Sequence, residues 1–464
     1  MEYGRTSGVR TVTSGAFCVL PKEDRPSDDP PVRVEPIDPE LFAANRTRLR
    51  GMLKPSSIVI IHSNDIYPTN ADGTMAFRQQ NDLFHLTGID QEETILILMP
   101  DARESRDREI LFVRETSEEI AIWEGEKLTK EEAALRTGIS HIEWTGNFQG
   151  TLHRLVPQVD HIYLATNEHL RAVVEVETRN ARFIKECQLR YPLHRYERLA
   201  PLMHRLRMVK QPQEISIIAK ACAITEAGFR RSLDFIRPGV GEWEIEAEFM
   251  HEFLRRGSKG FAYTPIIASG SSACVLHYIK NDRICRDGDL ILMDVAAEYA
   301  GWNSDMTRTV PVNGRYTPRQ RAVYDAVLRV LRAANQLLRP GVHPGDYQKQ
   351  ILSIMEAELI HLGLIDAAEA KEQGPDKPLV KRYFMHGTSH HLGLDVHDVA
   401  PPGEPVAEGM VFTIEPGIYI REEGLGVRLE NNVLIGRDSN TDLMASIPIE
   451  AEEIEELMAQ RQGA

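Results

Sequence analysis

The feature that most constrains this chain is a set of carboxylates standing where strands should be apolar. In residues 288–312, GDLILMDVAAEYAGWNSDMTRTVPV, Asp294 interrupts a run with Leu290, Ile291, Leu292 and Met293 before it and Val295 and Ala296 after it. Asp305 follows eleven residues later, past a turn at Gly301, and leads into the alternating Thr307, Thr309 and Val310. A hairpin with that connection brings both carboxylates to one face at one end. An unpaired charge inside a buried strand costs several kcal/mol, so each acid needs a strong partner. A cap or turn role is the plain alternative, and it suits Asp305 better than Asp294.

A second pair of runs repeats the pattern. GMVFTIEPGIYI (409–420) carries Glu415 after Val411, Phe412 and Ile414, and GVRLENNVLIG (426–436) carries Glu430 between Leu429 and Val433. One such acid paired with Arg428 would be purely structural. Four in one domain exceed what ion pairing explains, because their mutual repulsion demands cations among them. Residues 385–398, MHGTSHHLGLDVHD, add His386, His390, His391 and His397. Four carboxylates with an imidazole and no thiolate form a hard, oxygen-rich donor set. It suits Mn2+ first, with Co2+, Zn2+ or Fe2+ as alternatives, and its charge matches two divalent ions. Two such ions side by side are the arrangement used to activate water for hydrolysis.

The rest of the chain gives this site a setting. At 464 residues two or three domains are expected. A net charge of −15 without any basic run argues against nucleic-acid and anionic-membrane partners. Five scattered cysteines without a CxxC read as reduced, buried thiols, and no run is apolar enough to span a bilayer, so a cytoplasmic protein is expected. Residues 1–38 form a polar, proline-bearing leader, expected to be extended. From 39 to 200, short β-branched runs (56–65, 94–100, 109–115, 161–166) alternate with helical stretches, which predicts an α/β domain. From 201 to 464 the pattern predicts an α+β domain. Its helices start at Pro212 (with Ile215, Ile218, Ala219 and Cys222 inward), near Trp243, at Thr317-Pro318 and at a cap on Asp346.

Five stretches carry a family resemblance in order: VLHYIKND, DGDLILMDVAAEYAGWNSDMTRTVPVNGRYT, FMHGTSHHLGLDVHDV, GMVFTIEPGIYI and GVRLENNVLI. They resemble the pita-bread metallopeptidases, a group that holds aminopeptidase P, prolidase, methionine aminopeptidase and the non-metallic creatinase, and they look most like bacterial aminopeptidase P. The N-terminal half is similar too, through RQQNDLFHLTGIDQEETILIL and AIWEGEKL. That argues against methionine aminopeptidase, which lacks such a domain.

The resemblance implies a creatinase/prolidase-like α/β N-terminal domain followed by a pita-bread catalytic domain. It implies Asp294, Asp305, His390, Glu415 and Glu430 as ligands of two divalent ions, with Asp305 and Glu430 bridging. His277, His386 and His397 would line the site and handle protons and the substrate carbonyl. Glu415 would manage the proton of the nucleophile, Arg428 would orient the carboxylates, and Tyr419 would lie near the proline pocket. Trp123 resembles a tryptophan that reaches that pocket from a neighbouring subunit, in a homodimer or homotetramer; the other reading of it is a domain-interface aromatic. His391 stands where relatives often carry an aromatic and is left outside the ligand set, and Asp395 and Asp398 are expected to anchor neighbouring N–H groups. The implied activity is an Xaa-Pro aminopeptidase acting on peptides with proline second. The alternatives are prolidase, restricted to Xaa-Pro dipeptides, and a non-catalytic binding protein that keeps the fold.

Overall fold

The computed structural model describes residues 32–374 and 378–460. Residues 1–31, most of the expected leader, lie outside the described residues, as does Cys18. From Val34 onward the chain packs as one unit. Asp38 caps the first helix, Pro39–Arg50, by accepting the Glu40 N–H at 2.9 Å, and Pro39 presets the first turn.

A mixed six-stranded sheet follows. Its strands are β1 (Ser57–His62), β2 (Ile95–Leu98), β3 (Glu109–Val113), β4 (Ile142–Trp144), β5 (His161–Leu164) and β6 (Arg195–Arg198), in spatial order β4-β3-β2-β1-β5-β6. Period-two alternation splits the central strands between two cores: Val59, Ile61, Leu96 and Leu98 face one side, and Ile58, Ile60, Ile95 and Ile97 the other. Both faces are covered, which is why β1 and β2 read as unbroken apolar runs. The two strands that the pattern missed are the edges. β4 has three residues, and β6 is the charged segment RYER, so neither carries an apolar signature.

The second half lays long helices against separated strand groups. Pro212–Phe235, Glu242–Arg255, Pro318–Leu337 and Pro344–His361 are the main helices. Two details differ from expectation. The inward face of the first is set by Glu214, Ile218, Ala221, Cys222 and Thr225, with Ile215 and Ala219 only half-buried. Burying Glu214 rotates the stripe, because its carboxylate meets the indole N–H of Trp302 at 3.3 Å and His85 Nε2 at 3.6 Å. The fourth starts two residues before Asp346, at Pro344 with His343 in the cap position, so Asp346 sits in the first turn.

The strands here are β7 (Ile266–Ser269), β8 (Leu290–Asp294), β9 (Glu298–Tyr299), β10 (Trp302–Asn303), β11 (Thr307–Pro311), β12 (Val411–Ile414), β13 (Gly417–Ile420), β14 (Leu425–Arg428), β15 (Asn431–Leu434) and β16 (Thr441–Asp442). β8 is central to a three-stranded antiparallel sheet with β7 and β11, and its Asp294 lies opposite Thr307. β9 and β10 form a small second hairpin whose turn uses Ala300 and Gly301 at φ 52° and 94°. β12 pairs with β15, and β13 with β14, so these four make one long hairpin broken at Glu415-Pro416 on one arm and Leu429-Glu430 on the other. Cys187, Cys222, Cys274 and Cys285 are buried free thiols, and burial pushes Cys187 and Cys285 up to about 12. No helix among the described residues is long and apolar enough to cross a membrane.

Candidate metal centre

The broken hairpin and the β8–β11 hairpin meet where the acids are. Glu430 N–H donates to the Thr307 carbonyl at 3.1 Å, and the Arg428 N–H donates to Thr309 Oγ1 at 3.2 Å. The Asn432 side chain clamps Asp305 by accepting its N–H at 3.0 Å and donating to its carbonyl at 2.6 Å. Strand breaks at Glu415 and Glu430 free their side chains from the two-faced alternation and turn both toward Asp305.

Asp305, His390 and Glu430 each offer a ligand atom within 4.8 Å of the others. His390 Nδ1–H donates to the His391 carbonyl at 2.9 Å, which fixes the tautomer and turns Nε2 toward Asp305 Oδ2 at 3.4 Å and Glu415 Oε1 at 3.7 Å. Glu430 Oε2 accepts from Thr307 Oγ1 at 2.8 Å, whereas its Oε1 is buried with no hydrogen-bond partner. Asp294 accepts from Tyr263 Oη and from Arg428 Nη2, both at 2.6 Å.

The electrostatics suit a positive charge among these acids. Burial raises the Asp294 carboxyl even though Arg428 opposes it. Burial, with Asp305, Glu415 and Asp294 beside it, lifts Glu430 well above the carboxylate range. Burial also pushes Glu415 up to about 7, against the pull of His390 and Arg428. Burial pushes His390 down, but Asp305 and Glu415 outweigh it and its pKa is raised. Acids crowded until they resist ionisation, around an unpartnered carboxylate oxygen and an aimed imidazole lone pair, fit divalent cations.

The other expected residues surround this cluster. Arg428 is buried, and besides Asp294 it donates to Tyr419 Oη at 2.8 Å and Thr307 Oγ1 at 3.2 Å. Tyr419, expected at a substrate pocket, is only 1% exposed. Its phenol bridges Arg428 and His386 Nε2, 2.8 Å from each, so here it braces the site instead of offering an open face. His386 also uses Nδ1 on the Gly387 carbonyl at 2.8 Å, and burial pushes it down to about 3. His397 stacks on His390 with centroids 3.9 Å apart, and burial, His390 and Arg171 push it to about 3. His277 is exposed and lies near enough to lower both His386 and His397. Trp123 is 81% exposed on the helix Glu118–Glu124.

His391 packs its ring on Phe412 at 4.2 Å and serves His390 through its carbonyl. Asp395 and Asp398 differ from expectation, since their main partners are cations. Arg207 donates at 2.8 Å to Asp82 and at 2.6 Å to both Asp395 and Asp398, and Lys210 donates to Asp398 at 2.7 Å. Sequence reading missed Tyr263, Thr307, Arg171 and this network. Only Thr307 had a usable signal, its register opposite Asp294 across the hairpin.

The model for metallopeptidase family M24 matches residues 216–437, and the aminopeptidase P N-terminal domain model matches 42–163. The chain is 34% identical to the Xaa-Pro aminopeptidase of Escherichia coli, over 91% of this chain and 98% of that one. It belongs to the aminopeptidase P family of M24 metallopeptidases. A Haemophilus influenzae Xaa-Pro aminopeptidase is 33% identical over 90% of this chain and 97% of its own. A solved E. coli aminopeptidase P variant with substrate superposes with a TM-score of 0.82 at 31% identity, covering 93% of this chain and all of that one. The aminopeptidase P N-terminal domain and the M24 pita-bread domain are therefore both present, as the family resemblance implied.

Proposed function

We propose that this chain is an Xaa-Pro aminopeptidase that removes the first residue from peptides whose second residue is proline. The observation that carries the reading is the grouping of Asp305, His390 and Glu430, with Glu415 3.7 Å from His390 Nε2, Asp294 held beside them by Arg428, and Glu430 Oε1 buried and unpaired. The likeness to Xaa-Pro aminopeptidases along both halves of the chain supports it. These five side chains would hold two divalent ions, Mn2+ first. Ions bound there supply Lewis acidity toward a peptide carbonyl and acidify water.

The chain's own groups do the rest. Arg428 and Tyr263 fix both oxygens of Asp294. Glu415, with Oε2 3.8 Å from His386 Nδ1, takes the proton of the attacking water at its carboxylate. His397 and His277, on the open side, orient the scissile carbonyl and return a proton to the proline nitrogen, which carries no hydrogen of its own in the substrate. His386, with both ring nitrogens engaged, steadies Tyr419 and through it Arg428. The exposure of Trp123 supports its reading as a residue that reaches a neighbouring subunit of a homo-oligomer.

The test offers Mn2+-loaded protein the tripeptide Arg-Pro-Pro beside the dipeptide Gly-Pro. Release of arginine from the tripeptide is expected. Hydrolysis of Gly-Pro alone would make the chain a prolidase, and failure to retain or respond to any divalent metal would leave it a binding protein.

A further inference from the structure

The cleft that opens beside His397 has a volume of about 820 Å³ and is walled on its other side by the N-terminal half. The segment 165–178, between β5 and the helix Arg179–Arg190, supplies much of that wall. Its tip is built. The Asn167 side chain accepts the His169 N–H at 3.2 Å, His169 Nδ1 accepts the Arg171 N–H at 3.1 Å, and the His169 carbonyl accepts the Ala172 N–H at 2.9 Å. Glu168 ties the base of the turn to Arg198. This turn sends Arg171 across the cleft, where Nη1 lies 2.9 Å from His397 Nδ1 and 3.2 Å from Nε2.

Arg171 has no carboxylate within ion-pair distance among the described residues. A neutral imidazole accepts one hydrogen bond and returns no charge, so most of the guanidinium's five donors stay available. Of the acids that line the cleft, Glu168 is held by Arg198 and Asp395 by Arg207. Among the described residues, that leaves Arg171 and Arg78 with one acid of the cleft lining, Glu175, outside any ion pair. An unpaired guanidinium beside His397, in a cleft large enough for a few residues, has the chemistry to take an anion.

We propose that Arg171 is a specificity-determining residue that binds the C-terminal carboxylate of short peptide substrates and so favours them over longer or capped peptides. Building on the peptidase reading above, it adds which peptides the same site prefers. No covalent step is involved. The carboxylate would take the fork of the guanidinium now turned to His397, releasing that ring toward the scissile carbonyl.

The experiment compares kcat/KM for one Xaa-Pro-Xaa tripeptide as the free acid and as the C-terminal amide, using Mn2+-loaded wild type, Arg171→Ala and Arg171→Lys. A charge-assisted hydrogen bond is worth about tenfold or more. The acid-to-amide ratio in the wild type should therefore exceed ~10, collapse toward one in Arg171→Ala, and recover in part in Arg171→Lys. An unchanged ratio in Arg171→Ala, whatever its absolute rate, would overturn the proposal, as would a wild-type ratio near one. Calorimetric binding of Pro-Ala and its amide to the same loaded proteins separates the two readings. If no Xaa-Pro bond is cut but free Pro-Ala still binds through Arg171, the activity is wrong and the carboxylate site stands. If peptides are cut and Pro-Ala binds no better than its amide, the reverse holds.

Discussion

Lys210→Met tests the buried charge network that ties the two halves of the chain together beside His397. Lys210, Arg207 and Asp398 are 4%, 4% and 7% exposed, and Lys210 Nζ spans Asp398 Oδ2 at 2.7 Å and the Arg207 carbonyl at 2.8 Å. Burial pushes the Asp398 carboxyl up, but Lys210 and Arg207 overcome it and hold it well below the ordinary carboxylate range. Removing one partner of a buried ion pair costs about 3–5 kcal/mol, since the other charge stays buried. Arg207 still covers Asp398 Oδ1, so the lower end, about 3 kcal/mol, is expected. With an unfolding entropy near 2.1 cal/mol/K per residue, a chain of this length that unfolds in one step would lose only about 3 °C of Tm, so urea unfolding at fixed temperature is the better assay. Asp398→Asn should be similarly costly alone. The double variant should recover about 2 kcal/mol relative to the sum, because neither charge is then stranded. Single costs below about 1 kcal/mol, or costs that add within ~0.5 kcal/mol, would refute the buried-pair argument.

Three further outcomes follow from the same geometry. Glu430→Ala should lose bound divalent metal, read by elemental analysis, together with peptide hydrolysis; full metal occupancy would place the ligands elsewhere. His397→Ala should keep its metal yet lose most turnover, about 10²-fold or more for a lost proton-handling or carbonyl-orienting group, and metal loss would mean its role is wrongly assigned. His62 tests pH dependence away from the metal cluster: it is buried against Phe148 and Phe183, its Nε2 is unpartnered, and burial pushes it to about 3. Its folded pKa lies below the unfolded value near 6.5, so the unfolded chain takes up a proton that the folded one refuses, and stability falls as pH drops from about 6.5 toward 3. His62→Leu should remove roughly 1.5–2 kcal/mol of the stability loss between about pH 6.5 and 5; an unchanged acid limb in urea titrations would contradict this.

How much of the site was legible in the sequence depended on whether its signal was local. Asp294, Glu415 and Glu430 stood out because each breaks an apolar run, and breaking a run is visible without knowing what lies across it. The helix at Thr317-Pro318 was legible for the same reason, since its cap and its buried stripe are adjacent in sequence. The edge strands β4 and β6 were not, because an edge needs no apolar pattern to pair.

What the sequence determined by itself, then, was most of the longer strands and the Thr317 cap, the two-part order of the chain, and a surplus of carboxylates that one domain could not neutralise. The tertiary structure alone decided how those charges are shared. It brought Arg428 to Asp294 rather than to a neighbouring glutamate, and Arg207 to Asp82, 125 residues away. It also buried Tyr419 between Arg428 and His386, and set Arg171 against His397 across 226 residues. Pairing energies depend on separation in space and on the loss of water around both partners, and neither quantity is written into the spacing of residues along a chain.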